Sequence, residues 1–311
     1  MSEPEATTAS WPSVCAIVPT RDRPALLARA VAAVLDQDYP GDIECLVVFD
    51  QSDVEALTAG NGPGRTVRCL QNGRSPGLAG ARNSGILAAQ ADLIAFCDDD
   101  DEWLAGKLRA QVDLMRSTNS ALVATGIRVH FRGRDRVRLP PPRPLSHDDF
   151  LQDRHMEVNP CTVLVDRLVL LGSIGLVDET IPGGYGEDYE WLLRATRFTD
   201  IRSVPAPLVR VNWHASSFFA DRWQTIVSAL QDLLDRNPDF VRQPRGLARI
   251  EGQIAFAQAG LGDTRAARSW ARRALSHRRT EPRAYVALLC CTGLVTNETV
   301  VRLAHRAGRG I

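Results

Sequence analysis

Leu93-Ile94-Ala95-Phe96-Cys97-Asp98-Asp99-Asp100-Asp101 decides the fold: five apolar residues run straight into four adjacent carboxylates. A short unbroken apolar run reads as a strand covered on both faces, as in a parallel sheet. Four neighbouring carboxylates repel one another, so the cluster is costly unless a cation neutralises it. Hard oxygen ligands of this kind suit Mg2+ or Mn2+, which use one or two carboxylates together with phosphate oxygens of a substrate. A solvated acidic turn, with Asp101 capping the next helix, is the plain alternative. Position favours the cation, because the cluster follows an apolar strand and other polar segments follow other strands.

Working outward, the strand–helix unit recurs. Cys15-Ala16-Ile17-Val18 is an apolar run ending at Pro19, and Pro24 opens a helix in which Leu26, Leu27, Ala30, Val31, Val34 and Leu35 repeat at helical spacing. Glu44 to Phe49 and Val67 to Leu70 read as strands, Ala81 to Ala91 as a helix, and Leu104, Leu108, Gln111 and Met115 as another helical face. Leu122 to Val129 reads as a further strand, and Arg132 to Pro144, rich in arginine and proline, as a surface loop. This alternation predicts an α/β fold, a mostly parallel sheet flanked by helices, with ligands bound beyond the carboxyl ends of the strands. Thr20 to Arg23, Asp50 to Asp53 and Asp98 to Asp101 each follow a strand, so all three should converge on one crevice.

The chain is expected to divide into a flexible N-terminus (residues 1–12), a sheet domain (13–215) and a helical C-terminal region (216–311). Helical patterns in the last part cover Arg222 to Arg236, Arg249 to Gly260, Thr264 to His277 and Arg283 to Leu289. Gly262-Asp263 with Ala267 and Ala274 loosely resembles a tetratricopeptide repeat.

Lys+Arg and Asp+Glu both number 37, which argues against a general nucleic-acid binder, since that needs a basic excess to displace counterions. The seven cysteines sit mostly in apolar runs without a CxxC pair and read as free thiols of a reducing compartment. The N-terminus lacks the features of a secretory signal. The longest apolar run, Val286 to Val295, is about half the length a bilayer requires. A cytoplasmic protein follows, one that touches a membrane at its periphery at most.

Two more segments carry chemistry. Gly184-Tyr185-Gly186-Glu187-Asp188-Tyr189 is a glycine loop opening a helix. Its carboxylates either complement the helix macrodipole or supply a general base at a cleft lip. Pro76-Gly77-Leu78-Ala79-Gly80-Ala81-Arg82-Asn83-Ser84-Gly85 is a small-residue loop entering a helix, where backbone N–H groups and an arginine can meet phosphate. It is not a P-loop, because GxxxxGK[ST] is absent.

In order, these pieces resemble family 2 glycosyltransferases of the GT-A fold. Ile17 to Arg23 is similar to their opening "IPTYNR", Val48 to Asp53 to "VDDGSxD", Gly77 to Gly85 to "GLSAARNxG", and Asp98 to Asp101 to the "DDDD" carrying the DxD motif. Asn159 to Asp178 resembles the acceptor-side stretch, and Gly186 to Tyr189 matches "xEDY". The resemblance covers roughly residues 13 to 215 and implies a GT-A nucleotide-diphospho-sugar transferase fold. It also implies an inverting transfer of sugar from a nucleotide-diphospho-sugar to an acceptor hydroxyl of a glycan, a lipid-linked saccharide or a natural product.

The implied donor site comprises Pro19, Thr20, Arg23, Asp50, Arg82, Asp98 and Asp99, with Asp50 at the nucleotide base and Arg82 near the phosphates. Asp98 and Asp100 match the DxD ends that hold ribose and an Mg2+ or Mn2+ ion, and His214 stands where several such enzymes have a late metal-binding histidine. Asp188, beside Glu187, matches the catalytic base. Phe49 replaces the first aspartate of the second motif, which leaves the nucleotide open. Phe219 to Trp223 is similar to the QxxRW of processive synthases, but with Phe219 in place of Gln, so single-sugar transfer is expected. A sugar-nucleotide nucleotidyltransferase would carry a glycine-rich basic loop where Pro19 to Arg23 stands. A catalytically silent scaffold would not be expected to keep Asp98, Asp100 and Asp188.

Overall fold

Strand β1 (Val14–Thr20) is buried along its whole length, and its side chains alternate between two cores. In the computed structural model, which describes residues 10–57, 62–213 and 222–306, Val14, Ala16 and Val18 pack with Leu27, Val31 and Val34 of α1 (Pro24–Leu35). Cys15 and Ile17 join the opposite core with Ala81 and Ile86 of α2 (Leu78–Ala88). Period-two alternation thus covers the strand on both faces, and Pro24 at the start of α1 costs no hydrogen bond.

Three strands continue the parallel half of the sheet in the order β3-β2-β1-β4, namely β2 (Ile43–Phe49), β3 (Arg65–Gln71) and β4 (Leu93–Phe96). The other half is mixed. It contains β5 (Glu102–Trp103), β6 (Leu122–Phe131), β7 (Arg134–Arg138), β8 (Leu164–Asp166) and β9 (Arg202–Asn212). Strand β8 runs antiparallel to both β4 and β6, while β6 and β9 pair in parallel. This is a mixed α/β sheet with a helical C-terminal region, the architecture that the resemblance implies. Short β5 and β8, and Pro205 and Pro207 within β9, explain why periodicity alone did not reveal these strands.

The expected loop from Arg132 to Pro144 is corrected in part: it contains the hairpin β6–β7. Arg132 and Gly133 both have positive φ (51° and 72°), the geometry of a two-residue hairpin turn. Phe131 then pairs with Arg134, and Ile127 with Arg138.

The remaining helices are α3 (Lys107–Thr118), α4 (His147–Gln152), the single turn α5 (Arg167–Val169), α6 (Glu187–Thr196), α7 (Trp223–Arg236), α8 (Pro244–Gly260), α9 (Thr264–His277), α10 (Pro282–Cys290) and α11 (Asn297–Arg306). Ile226, Leu230 and Leu233 of α7 and Leu247, Ile250 and Ile254 of α8 belong to the same core as Ile17 and Phe96. The C-terminal helices therefore cover one face of the sheet. Behind them α8, α9 and α10 pack through Ala248, Ala271, Ala274, Ala284 and Ala287, whose small side chains allow close helix approach. All seven cysteines are free thiols, and among the described residues no helix is long and apolar enough to cross a membrane.

Candidate active site

The carboxyl ends of β1, β2 and β4 meet as the alternation requires. Thr20 Oγ1 donates to Asp99 (2.8 Å), and Arg23 bridges Asp99 and Asp100 (3.1 and 3.0 Å). The Asp50 backbone N–H donates to the Thr20 carbonyl, fixing the ends of β1 and β2 side by side. Buried Asp50 accepts from Asn72 Nδ2 (2.7 Å) and from the Gly77 N–H (3.0 Å), so it holds the loop before α2 against the sheet. That loop depends on small residues. Gly77 has φ of 114°, and a Cβ on Gly80 would lie 1.9 Å from the Ser75 carbonyl oxygen.

Adjacent residues of α2 do two jobs. Asn83 exchanges hydrogen bonds with the backbone of Val177 (2.8 and 2.9 Å) and donates to Glu179, which clamps the segment leading to α6. Arg82, only 2 % exposed, donates to Asp98 (2.8 Å) and to Glu187 (3.3 Å). Burial opposes its charge, but Asp98 and Glu187 outweigh that and hold the guanidinium cationic. Its Nε is buried without a hydrogen-bond partner among the described residues, a donor that a ligand oxygen can satisfy.

Gly186, with φ of 84°, starts α6 and sets two carboxylates in its first turn. Asp188 accepts two hydrogen bonds from Arg154 Nη2 (2.8 and 3.0 Å). Burial raises the Asp188 pKa, yet the Arg154 charge wins and holds it below the ordinary carboxylate value. Glu187 has the opposite balance. Burial, then the neighbouring Asp188 charge, push it up to about 7. Two adjacent buried carboxylates are thus separated in acidity, because the Arg154 contacts offset burial at Asp188 while burial and the Asp188 charge prevail at Glu187. Arg154, Tyr189 and Arg249 also stack, with guanidinium-to-ring distances of 5.8 and 5.5 Å, tying α8 to the first turn of α6.

Asp98 gathers with Asp101 and Cys161 rather than with Asp100. Their ligand atoms lie within 4.8 Å of one another, whereas Asp100 turns to Arg23. Two neighbouring carboxylates fit a hard divalent cation, and a sulfur in the set suits Mn2+ better than Mg2+. His214 lies outside the described residues. Arg154 and Cys161 are the groups that sequence reasoning missed, and Asp101 was named only within the acidic cluster and as a helix cap. Arg154 lies between the expected surface loop and the acceptor-side stretch, and a cysteine in an apolar run gave no signal.

A cavity of about 850 Å³ opens here. Its wall is polar where Arg82, Asp98, Asp101, Arg154, Glu187 and Asp188 line it, and apolar where Trp213, Trp223, Ile226, Phe256, Val286 and Val300 line it. Pro19, Thr20, Arg23, Asp50 and Asp99, expected at the donor site, are not among the residues that line this cavity; they lie at the ends of β1 and β2 and in the turn after β4.

A family model described as "Glycosyl transferase family 2" matches residues 15–167. These residues form a glycosyl transferase family 2 domain. It is 25% identical over 251 residues, 80% of this chain and 93% of the other, to the Escherichia coli UDP-Glc:alpha-D-GlcNAc-diphosphoundecaprenol beta-1,3-glucosyltransferase WfgD. Solved GT-A structures share the fold. S. aureus TarS 1-349 in complex with UDP-GlcNAc superposes with a TM-score of 0.57 at 15% identity, over 96% of this chain and 92% of that one. The mannosyltransferase PcManGT of Pyrobaculum calidifontis, in complex with GDP-Man and Mn2+, gives 0.54 at 16% identity over 96% and 89%. The protein is therefore a glycosyltransferase, and the fold continues through its helical C-terminal region.

Proposed function

We propose that this glycosyltransferase moves a sugar, with inversion, from a nucleotide-diphospho-sugar to a saccharide carried on a polyprenyl diphosphate. The observation that carries the proposal is the mixed lining of one cavity, in which buried Arg82 meets the carboxylates Asp98 and Glu187 and apolar side chains complete the wall. The lipid-linked acceptor of WfgD supports the same reading, and the UDP-sugar in its name makes UDP the first donor nucleotide to try. The sheet domain of residues 13–215 carries the donor site, and the helices after 216 shape the acceptor side.

Thr20, Arg23, Asp50 and Asp99 frame the nucleotide. The free Nε of Arg82 donates to a diphosphate oxygen, where a preorganised donor is worth more than in water. Asp98 and Asp101, with Cys161 beside them and Asp100 in reach of the same phosphates, would hold Mg2+ or Mn2+. A bound cation supplies positive charge for the departing diphosphate.

Asp188 accepts the acceptor hydroxyl proton. The freed oxygen bonds to the anomeric carbon as the bond to the diphosphate breaks on the opposite face. Arg154 keeps Asp188 ionised, and Glu187 tempers the charge of Arg82. A cytoplasmic enzyme using a lipid-borne substrate fits this arrangement.

The test is sugar transfer from UDP-glucose, UDP-GlcNAc and GDP-mannose to GlcNAc on a short-chain polyprenyl diphosphate, with Mn2+, with Mg2+ and with EDTA. Expected is one preferred donor, loss of product in EDTA, and a rate lower by about 10²–10⁴ in Asp188→Asn. No product from any donor, or an Asp188→Asn rate equal to wild type, overturns the proposal.

A further inference from the structure

The hairpin β6–β7 carries a concentration of charge that the transfer reaction does not use. Arg132, Arg134 and Arg136 are exposed, and Arg138 is half-buried beside them. Alternation sorts these residues by face. Arg134, Arg136 and Arg138 stand opposite Phe131, Val129 and Ile127 in the antiparallel register, so they share one face of the sheet with those residues. On the neighbouring strand, Val209 and Val211 pair with Ile127 and Val129 and lie on that face too. The single acid of the hairpin, Asp135, belongs to the other face, where His130 and Arg128 hold it.

This face is continuous with the catalytic cavity. Ile127, Val211 and Trp213 line the cavity, and Trp213 also borders a recess of about 310 Å³ with Phe131, Arg134, Arg136 and Arg138. Arg138 lies over the Trp213 ring at 4.9 Å, and Arg132 over Phe131 at 5.1 Å. Arginines that rest their stems on aromatic rings and offer guanidinium forks to phosphate suit a headgroup layer, where aromatic residues also concentrate.

We infer that this face of the hairpin docks the enzyme on an anionic phospholipid surface, with the cavity mouth turned to the membrane. The inference rests on the lipid-linked acceptor proposed above. Charge complementarity selects the occupant: a row of arginines attracts acidic headgroups, and the adjoining apolar cavity wall gives the acceptor's lipid a path from bilayer to base. A second cluster, Arg265, Arg268 and Arg272 on exposed positions of α9, has no such continuity with the cavity and serves as the control.

The experiment is cosedimentation of the full chain with vesicles of phosphatidylcholine alone, or with about a third phosphatidylglycerol. It compares wild type, the triple variant Arg132→Ala/Arg134→Ala/Arg136→Ala, and the control Arg265→Ala/Arg268→Ala/Arg272→Ala. Transfer to a detergent-soluble short-chain acceptor is measured in parallel. Wild type and the α9 control should bind only the anionic vesicles and be released in about 1 M salt, where the screening length falls to about 3 Å. The hairpin variant should lose affinity on the order of a hundredfold, at about fivefold per arginine, while keeping its melting temperature and its soluble-acceptor rate. Equal binding to neutral vesicles, no vesicle binding, or a hairpin variant that binds like wild type or no worse than the α9 control overturns the inference. Failure of soluble-acceptor transfer in wild type would instead remove the lipid-linked reading, whatever the vesicles show.

Discussion

Replacing Arg154 by glutamine should move the acid limb of the transfer reaction to higher pH, by an amount the geometry sets. Arg154 makes two hydrogen bonds to Asp188, and the two side chains keep 28% and 22% exposure. For unit charges about 4 Å apart, attraction is about 1 kcal/mol in bulk water and about 4 kcal/mol at an effective dielectric of 20. Their partial exposure puts the pair between those limits, at about 2 kcal/mol, or about 1.5 pH units. In wild type Asp188 titrates below 3.8, so the stability it contributes is complete above that value and is lost as pH falls through its folded pKa. Without Arg154, burial dominates and the carboxyl takes up its proton earlier on acidification.

The assay is kcat/KM against pH for wild type and Arg154→Gln, with melting temperatures at each pH. The variant should be less stable by about 2 kcal/mol at neutral pH, with the deficit closing in acid as Asp188 protonates in both proteins. A wild-type limb near pH 7 that the substitution leaves in place would refute the reasoning. It would make Glu187, whose carboxyl is pushed up to about 7, the titrating base.

Three further outcomes follow from the same physics. Glu187 keeps its proton longer in the folded chain than in the unfolded one, so wild-type stability should fall as pH rises from 4.5 towards 7; thermal melts of Glu187→Gln should lack that slope. Lys107, fully buried and pushed from 10.5 down to about 7, penalises the fold most below pH 7. Lys107→Met should therefore be more stable by about 1–4 kcal/mol at pH 6 in denaturant titrations, with the advantage shrinking as pH rises towards 10.5. Gly80→Ala forces a Cβ against the Ser75 carbonyl and should cost about 1–3 kcal/mol while weakening nucleotide binding in calorimetry, since the displaced loop leads into α2, which carries Arg82.

Much of the parallel half was legible because period-two burial and helical spacing both leave marks in sequence. The strands ending at Thr20, Phe49 and Phe96 and the helix after Pro24 could be placed from apolar runs and one proline. The mixed half was harder. Two of its strands have only two and three residues, and β9 contains prolines that usually exclude a strand. The hairpin escaped because arginines at every second position look like a solvated loop until Phe131, Val129 and Ile127 are known to lie opposite them. At the site, Asp98, Arg82 and Asp188 could be named because motif order constrains them. Their partners could not, since the contacts of Arg154 to Asp188 and of Cys161 to the Asp98 backbone join residues 34 and 63 positions apart.

The polar and apolar parts of the cavity lining come from stretches of chain that hardly overlap. The polar part draws on strand ends and the first turn of α6, and much of the apolar part on helices that follow β9. Changes more than about 7–10 Å apart with no shared partner combine nearly additively. Side chains of the apolar part can therefore change while the contacts of Arg82 with Asp98 and Glu187 stay in place. A library confined to α7, α8, α10 and α11 becomes a practical route to retargeting this scaffold.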